Sequence, residues 1–289
     1  MEQPIVANTI ASVAPLASVE LLCRHVCADV LGVPDAVQLI SDFADYSCPP
    51  FWTMPRACEQ RQLQIAKRLV AREVACAVPV DPFHCMSLFN DALGFAVDAV
   101  ADVDDPSDEG MALVRWLCHD YCPQGYAVLP LRRAASQGKL KVLEWLVEHH
   151  VLVIWSDVYA NAAASGGHLS VLEWFLSHDV LSSEWINASL EDACSGGHEE
   201  VVEWLLAHGA AEFFASLNNA VASGHVNVAK RLVEHFGSDA MSPMIPMLVA
   251  AGGNRVDALE WLQGLLPEVM GSESIMDAAG GNGHMEALV

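Results

Sequence analysis

Positive charge is what this sequence has least of. Its 289 residues hold 14 Lys and Arg against 37 Asp and Glu, a formal net charge of −23 at pH 7. Such a field repels phosphate backbones and anionic lipid surfaces along most of the chain, so neither nucleic acid nor a membrane surface is an expected partner. Long apolar runs are lacking too. The stretch Met241 to Ala251 is short and broken by Pro243 and Pro246, whereas a bilayer-spanning helix needs about 20 apolar residues. The first twenty residues, MEQPIVANTIASVAPLASVE, contain neither a basic segment nor a long apolar one. No secretory leader is read there, and the expected location is intracellular, in cytoplasm or nucleus. Nine Cys, an odd number, then read as reduced and mostly buried thiols rather than a disulfide framework.

Catalytic signatures are missing as well. The chain has no G-x-S-x-G, no G-x-x-x-x-G-K-[ST] and no strand-led G-x-G-x-x-G. His198-Glu-Glu-Val-Val lacks the second His of a zinc protease, and His284-Met-Glu286 is followed by no Pro-Cys-x-x-Cys of a zinc deaminase. Cys23/His25/Cys27 and Cys118/His119/Cys122 each place two thiols on one helix face, but four-coordinate zinc would need both sets together. With helices packing about 8–10 Å apart, the intervening units would hold the sets roughly 20–30 Å apart. The acidic stretch 102–109 lacks the Gly and terminal Glu of a calcium loop and reads as a solvated charged loop. No catalytic residue, cofactor, metal or small-molecule substrate is therefore expected, and the oligomeric state is left open.

What the sequence does hold is a repeat. GKLKVLEWLVEHH from Gly138, GHLSVLEWFLSHD from Gly167, GHEEVVEWLLAHG from Gly197 and GHVNVAKRLVEHF from Gly224 are copies of one phrase. NRVDALEWLQG from Asn254 is weaker, and GHMEALV from Gly283 stops one position short of the expected Trp. Trp116, Trp145, Trp174, Trp204 and Trp261 share a register, with Arg231 in the gap, at steps of 29, 29, 30, 27 and 30 residues. Such a period marks a solenoid whose units bury their apolar faces only against neighbours.

Each unit reads as two helices. In 157–180, DVYANAAASGG is an Ala-rich helix capped by Ser156 or Asp157 and ended by Gly166-Gly167, and HLSVLEWFLSH is its partner. Counting from Val171 at about 100° per residue, Trp174, Phe175, Leu172 and Leu176 spread over an apolar arc of roughly 200°, enough for neighbours on two sides. The pairs Ala163-Ala164, Ala134-Ala135, Ala193-Cys194, Ala220-Val221, Ala250-Ala251 and Ala278-Ala279 let first helices approach closely. Four His in the Gly-His place and four more, His149, His178, His208 and His235, four residues after the Trp place, follow the repeat, so they are read as backbone-binding residues. The Trp ladder is read as packing between repeats.

The run A-A-x-x-G-H-x-x-V-V-x-x-L-L-x-x-G-A resembles the ankyrin repeat, which 193–210, ACSGGHEEVVEWLLAHGA, matches nearly throughout. The resemblance covers residues 110–289, departing from the family in its shorter period and its lack of Thr-Pro-Leu-His. It implies an all-α, ankyrin-like helical-repeat solenoid, and that first helices line a concave binding face. Residues 57–70, ACEQRQLQIAKRLV, fit the same frame as a degenerate early repeat. The expected organisation is an irregular helical segment over 1–50, then a solenoid over 51–289, with degenerate repeats at 51–125, clear ones at 126–289 and the last incomplete. The Pro-led DAVQLISDFAD region resembles the opening of an F-box; a capping segment is the plainer reading.

If recurring positions hold the stack, the varying ones define a partner. The place two residues before the Ala pair, with an allowance of one residue that the last unit uses, is Arg132, Asn161, Glu191, Asn218, Leu248 and Asp277; two residues earlier it is Pro130, Tyr159, Ser189, Ser216, Pro246 and Ile275. Arg132, Tyr159, Asn161, Ser189, Glu191, Ser216, Asn218 and Asp277 are accordingly the candidate contact residues. The expected role is a noncatalytic protein-interaction scaffold, its acidity favouring partners with basic segments. The alternative is a substrate-recognition subunit of a ubiquitin ligase, using 1–50 to dock an adaptor.

Overall fold

A computed structural model describes residues 52–75, 82–101, 103–122, 125, 127–149, 153, 155–238, 242, 244–265 and 273–284. Among them are fifteen α-helices and no strand. The chain divides into two compact units, one of residues 1–133 with 141–154 and one of 134–140 with 155–289.

The first unit begins with the helix pair Met54–Glu59 (α1) and Leu63–Ala75 (α2), followed by Pro82–Ala99 (α3) and Glu109–Trp116 (α4), which runs on into a π turn over Leu117–Tyr121. It also holds most of Val128–Ser136 (α5) and Leu140–His149 (α6). Arg61, in the place where later repeats have Gly, takes a left-handed φ of 57°, and Gln62 N–H closes back on Ala57 O at 2.8 Å. The degenerate repeat thus keeps the turn without its glycine. Asp108 departs from the solvated-loop expectation. Its two carboxylate oxygens accept from Met111 N–H at 2.7 Å and Ala101 N–H at 2.8 Å, so it is a buried cap that starts α4.

The second unit is a run of helix pairs: Asp157–Ser165 (α7) with Leu169–Ser177 (α8), Ser183–Gly196 (α9) with Glu199–Ala207 (α10), Phe213–Ser223 (α11) with Val226–Phe236 (α12), Met244–Gly252 (α13) with Val256–Leu265 (α14), and finally Glu273–Gly281 (α15). First helices pack on first helices from α7 through α15, and second helices on second helices from α8 through α14. That is a solenoid. Small residues make the spacing possible, since Ala163, Ala164, Ala193, Cys194, Ala220, Val221, Ala250 and Ala251 are all wholly buried. In the last repeat the frame falls one residue later than Ala278-Ala279: Ala279 is buried and Ala278 only half so.

Second helices bury a repeated triplet. Val171, Leu172 and Phe175 in α8 become Val201, Val202 and Leu205 in α10, Val228, Ala229 and Leu232 in α12, and Ala258, Leu259 and Leu262 in α14. Burying each large member stabilises by about 1.5–3 kcal/mol. In α8 the buried arc is half the expected width, because Trp174 and Leu176 at its shoulders stay half-exposed, whereas Leu206 of α10 and Val233 of α12, in the place of Leu176, are buried.

Candidate partner-binding face

The turn between helices explains the repeated Gly-His. At Gly167, φ is +76°, and the N–H groups of Gly167 and His168 close the first helix onto Ala164 O at 3.1 Å and Ala163 O at 2.9 Å. Gly138, Gly197, Gly224 and Gly283 repeat the left-handed conformation, and Asn254 supplies it at φ 54°. Space demands glycine as well as φ does: a Cβ on Gly167 would sit 2.5 Å from Nδ1 of His198 in the next repeat, and one on Gly138 would sit 2.4 Å from Nδ1 of His168.

Those imidazoles tie successive repeats together. Nε2–H of His168 donates to Ser136 O at 3.0 Å, and Nε2–H of His198 donates to Ser165 O at 2.8 Å. Where the His is replaced, Arg255 Nε donates to Ala222 O at 2.8 Å. The second His series acts within its own helix. His149, His178 and His208 donate from Nδ1 to the carbonyls of Trp145, Trp174 and Trp204 at 3.0, 2.8 and 2.7 Å. Each ring also lies over the indole of the same Trp, with centroids 4.5, 4.0 and 4.0 Å apart. Trp145, Trp174 and Trp204 are therefore half-exposed, His-lidded edges rather than core fillers; Trp261 is half-exposed with Leu265 in the place of the His, and Trp116 is buried.

Among the described residues no three His, Cys, Asp or Glu side chains converge as metal ligands. Burial pushes the thiols of Cys58, Cys118 and Cys194 up to about 12, far from nucleophilic. Cys23, His25 and Cys27 lie outside the described residues. A broad groove of about 760 Å³ runs past Glu199, His225, Lys230, Asp257, Glu260 and Trp261 along the second helices. Its charged groups are three carboxylates, Glu199, Asp257 and Glu260, and one cation, Lys230.

The candidate contact residues divide by place. Asn161, Glu191 and Asn218 are half-buried and Asp277 is exposed on the outer side of the second unit's first helices, and Arg132 is exposed in the first unit. Tyr159, Ser189 and Ser216 are corrected: at 1 %, 0 % and 0 % exposure their side chains line the core and offer nothing to a partner. Two residues span about 200° of helix, so if one place faces out the place two before it faces in. Ser189 instead links repeats, its hydroxyl donating to Asn161 Oδ1 at 3.1 Å. Three residues span about 300° and return to the same face, and there the structure shows large apolar groups that the repeat reading missed. Val158, Phe214, Met244 and Ile245 are exposed near the starts of α7, α11 and α13. Their signal was apolar residues breaking the polar side of an Ala-rich helix.

Charge on this face is of one sign. Helices α7, α9, α11, α13 and α15 contain no Lys or Arg, while Asp157, Glu184, Glu191, Asp192 and Asp277 lie on them. Partial burial, with Glu212 and Asp192 nearby, raises the pKa of Glu191, and burial raises that of Asp192. Among the described residues no helix is long and apolar enough to cross a membrane.

No protein-family model matches the chain, and no curated protein does. Among solved structures it is similar to the human ASB11 ankyrin repeat domain, with 22% identity and a TM-score of 0.41, over 53% of this chain and 83% of that one. The helix pairs and turns of the chain itself define its class. It is an ankyrin-like helical-repeat solenoid, its helix pairs joined by left-handed turns that most often fall at Gly.

Proposed function

We propose that this protein is a noncatalytic interaction scaffold that binds a protein partner along its first-helix face, with basic segments of the partner opposite the carboxylates. The observation carrying this reading is the row of first helices α7, α9, α11, α13 and α15, which holds no Lys or Arg and where burial raises the pKa of Glu191 and Asp192. A partner's Lys or Arg favours the ionised form of these carboxylates and is steered to them over a Debye length of about 8 Å at physiological salt. Arg132, Asn161, Glu191, Asn218 and Asp277 are its polar contacts, in cytoplasm or nucleus.

Proximity labelling in the native cell, comparing the full chain with Glu191→Lys/Asp277→Lys, tests this. Selective loss of partners enriched in basic segments is expected, and an unchanged partner set would refute it. The ubiquitin-ligase alternative rests on residues 1–50, outside the described residues. It predicts that deleting 1–50 removes ligase components from the labelled set while the other partners remain.

A further inference from the structure

Among the described residues seven large apolar side chains are notably exposed, and three of them lie on the two adjoining first helices α11 and α13. Phe214 at the start of α11 is 55 % exposed, and Met244 and Ile245 at the start of the adjoining α13 are 38 % and 52 % exposed. Nothing in the core needs them there, because the neighbouring Phe213 and Met247 already supply the buried apolar contacts at 5 % and 0 % exposure. Phe213 packs against Phe236 of α12 with centroids 5.1 Å apart, whereas the ring of Phe214 lies tilted against that of Phe213 at 5.5 Å and stays more than half exposed. Exposed apolar groups that cluster mark a binding surface more often than isolated ones do.

The chemistry beside this patch sets what covers it. Glu212 is two residues from Phe214, and it interacts repulsively with Glu191 on α9, which in turn feels Asp192. No Lys or Arg lies on α9, α11 or α13. Asn187 is committed to the connecting loop, its Oδ1 accepting from Ala211 N–H at 2.8 Å, so the loop carrying Glu212 is held against α9.

From this juxtaposition we infer that Phe214, Met244 and Ile245 form an apolar anchor site, flanked by the Glu191–Asp192–Glu212 carboxylates, for a partner peptide segment carrying two apolar side chains next to an Arg or Lys. The apolar side chains cover the three exposed groups, and the cation lies between Glu191 and Glu212. An acidic or uniformly polar segment finds no match. The inference rests on the reading that partners use the first-helix face and adds which repeats hold the anchor and what sequence it selects.

The test is selection of a phage-displayed random 12-residue peptide library on the full 289-residue chain, followed by binding of the enriched peptides as synthetic molecules. Enriched sequences should pair two apolar residues with Arg or Lys, and replacing Arg with uncharged citrulline should weaken binding at least tenfold. Phe214→Ser and Ile245→Ser should each weaken it by a similar factor. Because both residues are more than half exposed, the melting temperature should stay within about 2 °C, which confirms that the fold is intact. Binding that survives Phe214→Ser and Ile245→Ser but is lost in Glu191→Lys would overturn the anchor and leave the broader basic-partner reading standing. Indifference to all three variants, or no enrichment, would overturn both.

Discussion

Gly167→Ala tests the turn on which the stack depends, and the structure sets the size of the effect. Alanine at φ +76° costs about 1–2 kcal/mol in left-handed backbone alone. Its Cβ would also sit 2.5 Å from His198 Nδ1, closer than real Cβ contacts come, so the imidazole of the next repeat must move. Forced overpacking of this kind costs about 1–3 kcal/mol more. Together these predict a fall in melting temperature on the order of 10 °C for a chain of this length. Gly209→Ala is the control, because Gly209 has φ +92° with nothing within 4 Å of its added Cβ. It should show the backbone cost only. His198→Ala loses the bond to Ser165 O and costs about 0.5–1.5 kcal/mol. In the double variant Gly167→Ala/His198→Ala the clash is gone, so its stability should be no lower than that of Gly167→Ala alone. Circular dichroism at 222 nm through thermal and urea unfolding measures all four. If the two substitutions add within about 0.5 kcal/mol, His198 does not press on Gly167 and the inter-repeat turn described above is wrong.

Further outcomes follow from the same geometry. His178→Ala removes both the Nδ1 bond to Trp174 O and the stack on its indole, and should cost about 1–2 kcal/mol by urea unfolding while leaving Trp174 more exposed to acrylamide quenching. Glu191 has its pKa raised in the fold, so its ionised form opposes folding; this penalty is present above the folded pKa and disappears as pH falls below the ordinary value of 4.5. Glu191→Gln should therefore raise the melting temperature at pH 7, by less than about 1 kcal/mol of stability, and make no difference at pH 4. An equal gain at both pH values would refute the electrostatic cause. With pKa values near 12, Cys58, Cys118 and Cys194 should be alkylated by iodoacetamide at pH 8 about three orders of magnitude more slowly in the native than in the denatured chain, read peptide by peptide by mass spectrometry.

The helix pairs were legible in the chain because their period is legible. Every copy of the Gly-His phrase became a left-handed turn, and even Arg61 and Asn254, which break the letters, keep the backbone. The backbone bond expected of the repeated His from their spacing is present at His149, His168, His178, His198 and His208. What spacing could not say is which backbone: His168 reaches back 32 residues to Ser136, whereas His178 reaches back four to Trp174. Both series recur once per unit, and only the packing of one repeat on the next separates a bond across the stack from one within a helix.

The candidate face divides in the same way. Sequence by itself determined the repeat, its small-residue contacts, the turn glycines and the acidic balance of the chain, because these are properties of period and composition. Tertiary structure decided inside from outside. Tyr159, Ser189 and Ser216 look as variable and as polar as Asn161, Glu191 and Asn218, yet they sit about 200° away around the same helices, where the neighbouring repeats close over them. Phe214 and Ile245 look like core residues, yet the neighbouring Phe213 and Met247 fill the core and leave them on the surface. An Ala-rich helix has no wide apolar stripe to fix its rotation, so that rotation is set by the helices stacked on either side.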